Sequence, residues 1–229
     1  MSDESNLTAV EARVLGCLLE KEITTPEYYP MTLNSLMAAC NQRSNRDPVV
    51  EWDEGTVEAG LDGLRRKRLA VMIHMAGSRV PKYKHSLDNV YGSLDPRMVA
   101  VLCELLVRNF QTPGELRTRT ERLQAVQDLS GLEATVQRLV DYGSGPLVVI
   151  LPPGGGRRVR TVAHLMSGPL DEASGPALAE SPAGHRSSAG ETVVPPPADW
   201  KADMESEIAA LKSEVVSLRE IVDRLKVLL

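Results

Sequence analysis

Leu7-Thr-Ala-Val-Glu-Ala-Arg-Val-Leu-Gly-Cys-Leu-Leu19 is written a second time, 87 residues later, as Leu94-Asp-Pro-Arg-Met-Val-Ala-Val-Leu-Cys-Glu-Leu-Leu106. Leu7, Val14, Leu15, Leu18 and Leu19 fall on Leu94, Val101, Leu102, Leu105 and Leu106, so both copies carry one apolar frame at helical spacing. Each copy continues with a Thr-Pro break, a short polar helix, a second amphipathic helix and a hairpin with basic residues. Helix, helix, helix, hairpin is the order of a winged helix-turn-helix, and a repeat of this length points to two copies of one unit. The expected fold is mainly α with small β hairpins: two tandem winged helix-turn-helix domains, a flexible linker and a C-terminal coiled-coil helix. The boundaries read as 7–88 and 94–166 for the two domains, 167–200 for the linker and 203–229 for the last helix.

Local signals place the elements. Thr8-Ala-Val-Glu11 is a capping box, in which the threonine hydroxyl and the glutamate carboxylate satisfy backbone N–H groups at a helix start. Thr32 and Asp53 are N-cap candidates for the second and third helices, and Val49 to Trp52 reads as a short extended run before the latter. Leu69 to Met75 and Val80 to Leu87 read as the first hairpin. In the second copy Asp95-Pro96 supplies an N-cap and an N1 proline, Thr112 to Glu115 repeats the capping box, and Ser130 to Glu133 offers another. Leu147 to Leu151 and Arg158 to Val162 read as strands. The Pro152 to Gly156 stretch between them matches no phosphate-loop spacing and reads as a turn.

From Ser167 to about Pro197 the chain is rich in Gly, Ala, Ser and Pro without apolar periodicity, as a disordered linker is. Met204, Ile208, Leu211, Val215, Leu218, Val222, Leu225 and Leu229 then alternate steps of four and three. β-Branched residues predominate at a, with Leu at most d positions, which favours two parallel strands. In that register Glu207 meets Lys212 of a second copy and Glu214 meets Arg219. These eight seam residues are the expected homodimer interface; a lone amphipathic helix packing on its own domains is the competing reading.

Composition narrows the function. Of 229 residues, 42% are hydrophobic, enough for packed cores, while aromatics are 3% with one Phe, which counts against base-stacking single-strand readers. The net charge of −5 divides into +1 over residues 7–87, +2 over 94–166 and −5 over 167–229, the short ends adding −3. The two repeats are therefore neutral to slightly basic. Cys17, Cys40 and Cys103 lack metal or redox spacing and read as small buried thiols in a reducing compartment. The acidic N-terminus is no signal peptide, and no apolar run approaches the ~18 residues of a membrane span, so the expected location is the cytoplasm.

Several further strings carry a family resemblance. They are Glu11-Ala-Arg-Val-Leu-Gly-Cys-Leu-Leu-Glu-Lys21, Thr24-Thr-Pro-Glu-Tyr-Tyr-Pro30, Ala39-Cys-Asn-Gln42 with Asn45-Arg46, and Arg79-Val-Pro-Lys-Tyr83. Gln111-Thr-Pro-Gly-Glu-Leu-Arg117, Gly145-Pro-Leu-Val-Val149 and His164-Leu165 complete the set. Together they resemble the bacterial YceH-like family over residues 7–166. The resemblance implies two winged-helix domains and no established biochemical activity; the linker and heptad tail lie outside the matching strings.

Catalysis finds little support. His74, His85, His164 and His185 are scattered, no serine or cysteine sits in a nucleophile elbow, and Glu20, Glu22 and Glu27 read as a solvated helix end. No catalytic residue, metal or cofactor is expected. In a winged helix the third helix enters the major groove while the wing meets backbone. The candidate DNA contacts are Arg43 and Arg46 in the loop, Arg65, Arg66 and Arg68 after the third helix, and Arg79, Lys82 and Lys84 on the first wing. In the second copy they are Arg117 and Arg119, with Arg122 nearby, and Arg157, Arg158 and Arg160 on the second wing. Against this, Asp53, Glu54, Glu58 and Asp62 on the first reading helix face phosphates badly, and Arg65 to Arg68 also suit a helix C-terminus. The expected function is a non-enzymatic, dimeric binder of double-stranded DNA, a transcriptional regulator or chromosome-associated factor. The alternative is a protein–protein scaffold using the same tandem fold, as in chromosome-partitioning complexes.

Overall fold

The computed structural model describes residues 6–74, 80–124, 128–153 and 158–170. Thr8 caps helix α1 (Ala9–Thr24) with the full capping box, its hydroxyl accepting from Glu11 N and the Glu11 carboxylate accepting from Thr8 N. Every residue from Glu11 to Glu20 is buried. A helix covered all round must be built of small and apolar residues, as this one largely is. After a 3-10 turn (Pro26–Tyr28), Thr32 caps α2 (Leu33–Cys40) and Asp53 caps α3 (Glu54–Arg66). A hairpin follows, β1 (Ala70–Ile73) antiparallel to β2 (Lys82–His85), with Val71 opposite Lys84.

A short helix, α4 (Asp88–Tyr91), leads into the second copy. Its elements repeat the order: α5 (Pro96–Arg108) capped by Asp95, α6 (Pro113–Thr120) with the Thr112–Glu115 capping box, α7 (Leu129–Val140), and β3 (Val148–Leu151) antiparallel to β4 (Thr161–His164). In each copy a residue between the first two helices bridges the second hairpin strand: Met31 with Tyr83, and Gln111 with Val162. The architecture among the described residues is thus seven α-helices and two small antiparallel hairpins.

Three local expectations need correction. The first hairpin is shorter than expected because the next pair after Ile73 and Lys82 would involve Pro81, which has no N–H to donate. β4 starts at Thr161, not Arg158: beyond Leu151 opposite Thr161, Pro152 and Pro153 cannot extend the ladder, and Arg158 to Arg160 stay outside it, exposed. Asp128, not Ser130, caps α7, since its carboxylate accepts from Gly131 N at 2.7 Å. Val49 to Trp52 joins no strand; the Asn41 side chain pairs with Trp52 instead, accepting from its N–H at 2.9 Å and donating to its carbonyl at 2.7 Å.

The copies meet through α1 and α5, which share one continuous core. Gly16 makes the approach possible: a Cβ there would lie 2.7 Å from Val107 Cγ1 and 2.9 Å from Leu106 Cβ. Cys103, which occupies the place of Gly16 in the second copy, donates its thiol to the Gly16 carbonyl at 3.5 Å. Equivalent positions in contact are what a two-fold pairing of the copies produces. Leu7 N donating to Met166 O and Asp47 N to Val107 O tie the halves further. The expected linker beyond residue 170 and the helix at 203–229, with its seam residues, lie outside the described residues.

Candidate nucleic-acid interface and the junction between the repeats

The cations singled out from the sequence divide into three groups. Arg46 is a correction: it is fully buried and its guanidinium grips Glu20, Nη2 to Oε2 at 2.5 Å, while Nε donates to the Ala39 carbonyl. It holds the loop after α2 onto α1 and presents nothing to a phosphate. Arg122 is likewise engaged, reaching Glu20 at 2.8 Å and Glu104 at 2.6 Å. A second group makes exposed ion pairs: Arg65 with Asp62 at 2.8 Å, Arg119 with Glu115 at 3.2 Å, and Arg160 with Glu133. Such pairs contribute ~1 kcal/mol or less and exchange partners readily.

The third group makes no ion pair among the described residues: Arg43, Arg66, Arg68, Lys82, Lys84, Arg117 and Arg158. Arg68 sits in the left-handed region at φ 60° and its carbonyl accepts from Ser86 Oγ, so it turns the chain into β1 at the base of the hairpin. Lys82 lies opposite Ile73, nearest the hairpin tip. Arg79 and Arg157 lie outside the described residues.

The two third helices differ in charge. On α3 the apolar residues Val57, Leu61 and Leu64 face the core, leaving Glu54, Glu58 and Asp62 four residues apart along the outer side. Positions four apart share a helix face, so this is an acidic stripe. On α7 the inner residues are Leu132, Val136 and Leu139, and the outer ones include Ser130, Glu133, Ala134, Gln137 and Arg138. Arg138 bonds Asp95 at 2.6 Å and Gln137 donates to Asp141, leaving this face nearly neutral.

The junction holds a buried ionic cluster that the sequence did not signal. Glu20 of α1 binds Arg46 and Arg122; Glu104 of α5 binds Arg122 and lies 3.3 Å from Arg108 Nε. Arg108 Nη2 in turn donates to Asn45 Oδ1 at 2.7 Å. Burial opposes the charge on Glu20, but the Arg46 hydrogen bond and the nearby guanidinium groups outweigh it and hold the carboxyl below its usual range. For Glu104 burial dominates over Arg122 and Arg108 and pushes the carboxyl up. The one available clue was Glu104 amid the apolar residues of the repeat, a charge no core position tolerates without a partner.

Cys17, Cys40 and Cys103 are free and buried. His85 Nε2 lies 2.5 Å from Glu22 Oε2, and His164 is buried in β4, where burial lowers its pKa to about 4. Among the described residues no group of three or more His, Cys, Asp or Glu is placed to hold a metal ion, and no helix is long and apolar enough to cross a membrane.

Among the described residues the fold alone defines a mainly helical protein with two small antiparallel hairpins. Comparison with known proteins makes the assignment narrower: a family model described as "Protein of unknown function, DUF480" matches residues 7–157, and the chain belongs to that family. It is 45% identical to the UPF0502 protein of Pelobacter propionicus, over 97% of this chain and 98% of that one. It is 41% identical to a UPF0502 protein of Vibrio atlanticus, over 96% and 98% of the two chains. A UPF0502 protein of Geobacter sulfurreducens is 45% identical over 93% and 90%. Alignment over 97% of the chain takes in most of residues 167–229, so the likeness extends well past the motifs at 7–166.

Proposed function

We propose that this chain is a non-enzymatic, tandem winged-helix protein that binds double-stranded DNA through its second half, as a transcriptional regulator or chromosome-associated factor in the cytoplasm. Two features support the winged-helix reading: the repeated helix order, and the bridges Met31–Tyr83 and Gln111–Val162, which add a third chain segment to each hairpin. The YceH-like resemblance agrees with it. The observation that carries the choice of half is the charge difference between α3 and α7. A helix with Glu54, Glu58 and Asp62 on its outer face repels the groove, whereas Ser130, Ala134 and Gln137 are small or polar and suit one. In this reading the cations assigned to the duplex backbone are Arg158 and Arg160, exposed beside β4, and Arg117, half-buried on α6.

Titration against random duplex at two salt concentrations tests the reading. Affinity should fall steeply with salt, and replacing Arg157, Arg158 and Arg160 by Ala should flatten the slope by up to about 2.7 units, at ~0.9 per phosphate contact. Absence of binding at low salt overturns it. The acidic stripe on α3 favours a second reading, a scaffold whose first half receives a basic protein segment.

The heptad from Met204 to Leu229 supports homodimerisation through the tail. Analytical ultracentrifugation should give a dimer for the intact chain and a monomer for Leu218→Glu, which sets like charges inside the seam. A monomeric intact chain at tens of micromolar (roughly) ends this assignment.

A further inference from the structure

A cavity of about 260 Å³ opens where the two repeats meet. Val50 and Trp52 wall it from the first copy, Leu106 and Phe110 from the second; Arg13 of α1 and His164 of β4 are among its polar lining. That is room for several water-sized groups, since about 10–15 Å³ of such space already holds one water.

Arg13 is the unusual member. It is 4% exposed, yet among the described residues it pairs with no carboxylate. Nη1 donates to the Cys40 carbonyl at 3.2 Å and Nη2 to the Pro48 carbonyl at 2.7 Å, and the guanidinium carbon stands 5.8 Å from the centre of the Trp52 ring. Nε has no partner, and neither has Nδ1 of His164. The carboxylates of the junction are already taken, Glu20 by Arg46 and Arg122 and Glu104 by Arg122 and Arg108. Asp47 is near enough to favour the Arg13 charge without bonding it. Buried charges are ordinarily paired, because desolvating one alone is costly. Here a buried cation and aromatic and aliphatic walls border an open space, and two buried nitrogens of its lining residues lack hydrogen-bond partners.

We propose that this cavity is a binding site for a small organic anion, an aromatic or branched monocarboxylate, whose carboxylate completes the pair with Arg13 and whose apolar body packs on Trp52 and Phe110. The geometry is that of ordinary ligand sites, an apolar chamber with a few polar groups that orient the guest. Because the walls come from both repeats, occupancy holds α1, α5 and β4 together. The site stands independently of the DNA reading.

Benzoate matches the cavity in size, and benzamide is its neutral counterpart. Titrated into the intact protein, benzoate should shift the Trp52 indole and His164 ring resonances saturably and raise the melting temperature, with benzamide at least tenfold weaker. Arg13→Met should abolish the preference for the anion. If that variant fails to fold, the wild-type comparison still decides. No saturable shift with millimolar benzoate, equal binding of benzamide, or shifts confined to residues away from Trp52 and His164 each overturn the proposal.

Discussion

Glu20 accepts from two guanidinium groups of opposite repeats, and its side chain is 1% exposed. Removing Glu20 strands the fully buried Arg46 without solvent, although Arg122 keeps some, and breaking a buried pair costs about 3–5 kcal/mol. Glu20→Ala should therefore lose about that much in urea unfolding, whereas Arg160→Ala, at an exposed pair, should lose under ~1 kcal/mol. Equal effects would refute the buried-pair account. His164 yields a pH prediction. Its folded pKa of about 4 lies below the ordinary histidine value of 6.5, so the unfolded chain binds the extra proton first as pH falls. Stability is complete above pH ~6.5 and declines toward pH ~4, by about 2 kcal/mol at pH 5. Urea unfolding at pH 7 and 5 should show that loss in the wild type, and a smaller one in His164→Asn. Neither role was visible in the chain itself. Arg46 sits in a polar loop and His164 ends a strand, and only tertiary packing turns them inward.

At the scale of elements, the caps were the most legible features. Thr8, Thr32, Asp53, Asp95 and Thr112 all cap the helices expected of them, because capping is a contact over three residues and needs no distant partner. Thr112→Ala should cost about 0.5–2 kcal/mol. The α1–α5 contact is different, since nothing local marks Gly16 as an interface residue. Gly16→Val should destabilise by about 1–3 kcal/mol or more, because Leu106 Cβ at 2.9 Å cannot rotate aside. Gly114, with nothing within 4 Å of a new Cβ, should tolerate Ala with a gain of up to ~1 kcal/mol. Thermal or urea denaturation of both variants checks the contrast; similar stabilities would mean the helices separate without penalty. Hairpin ends followed the same division: the β-rich runs located the strands, and Pro81, Pro152 and Pro153 set where pairing stops.

For the molecule as a whole, the shared core predicts that the two repeats unfold together. Calorimetry should give one transition for them, with calorimetric and van't Hoff enthalpies equal; two separable transitions attributable to the halves would contradict it. The duplication, the helix order, every cap but that of α7 and the approximate position of both hairpins could be read directly from the chain, because periodicity and capping are short-range patterns imposed by backbone geometry. What required the folded molecule was the relation between the copies. Burial of Glu20, Glu104 and Arg46, the close approach at Gly16 and the cavity beside Arg13 join residues up to about 150 positions apart, and no local periodicity encodes such pairings. Charge shows this most clearly: the same arginine is a surface cation or a buried strut according to which carboxylate the fold brings against it.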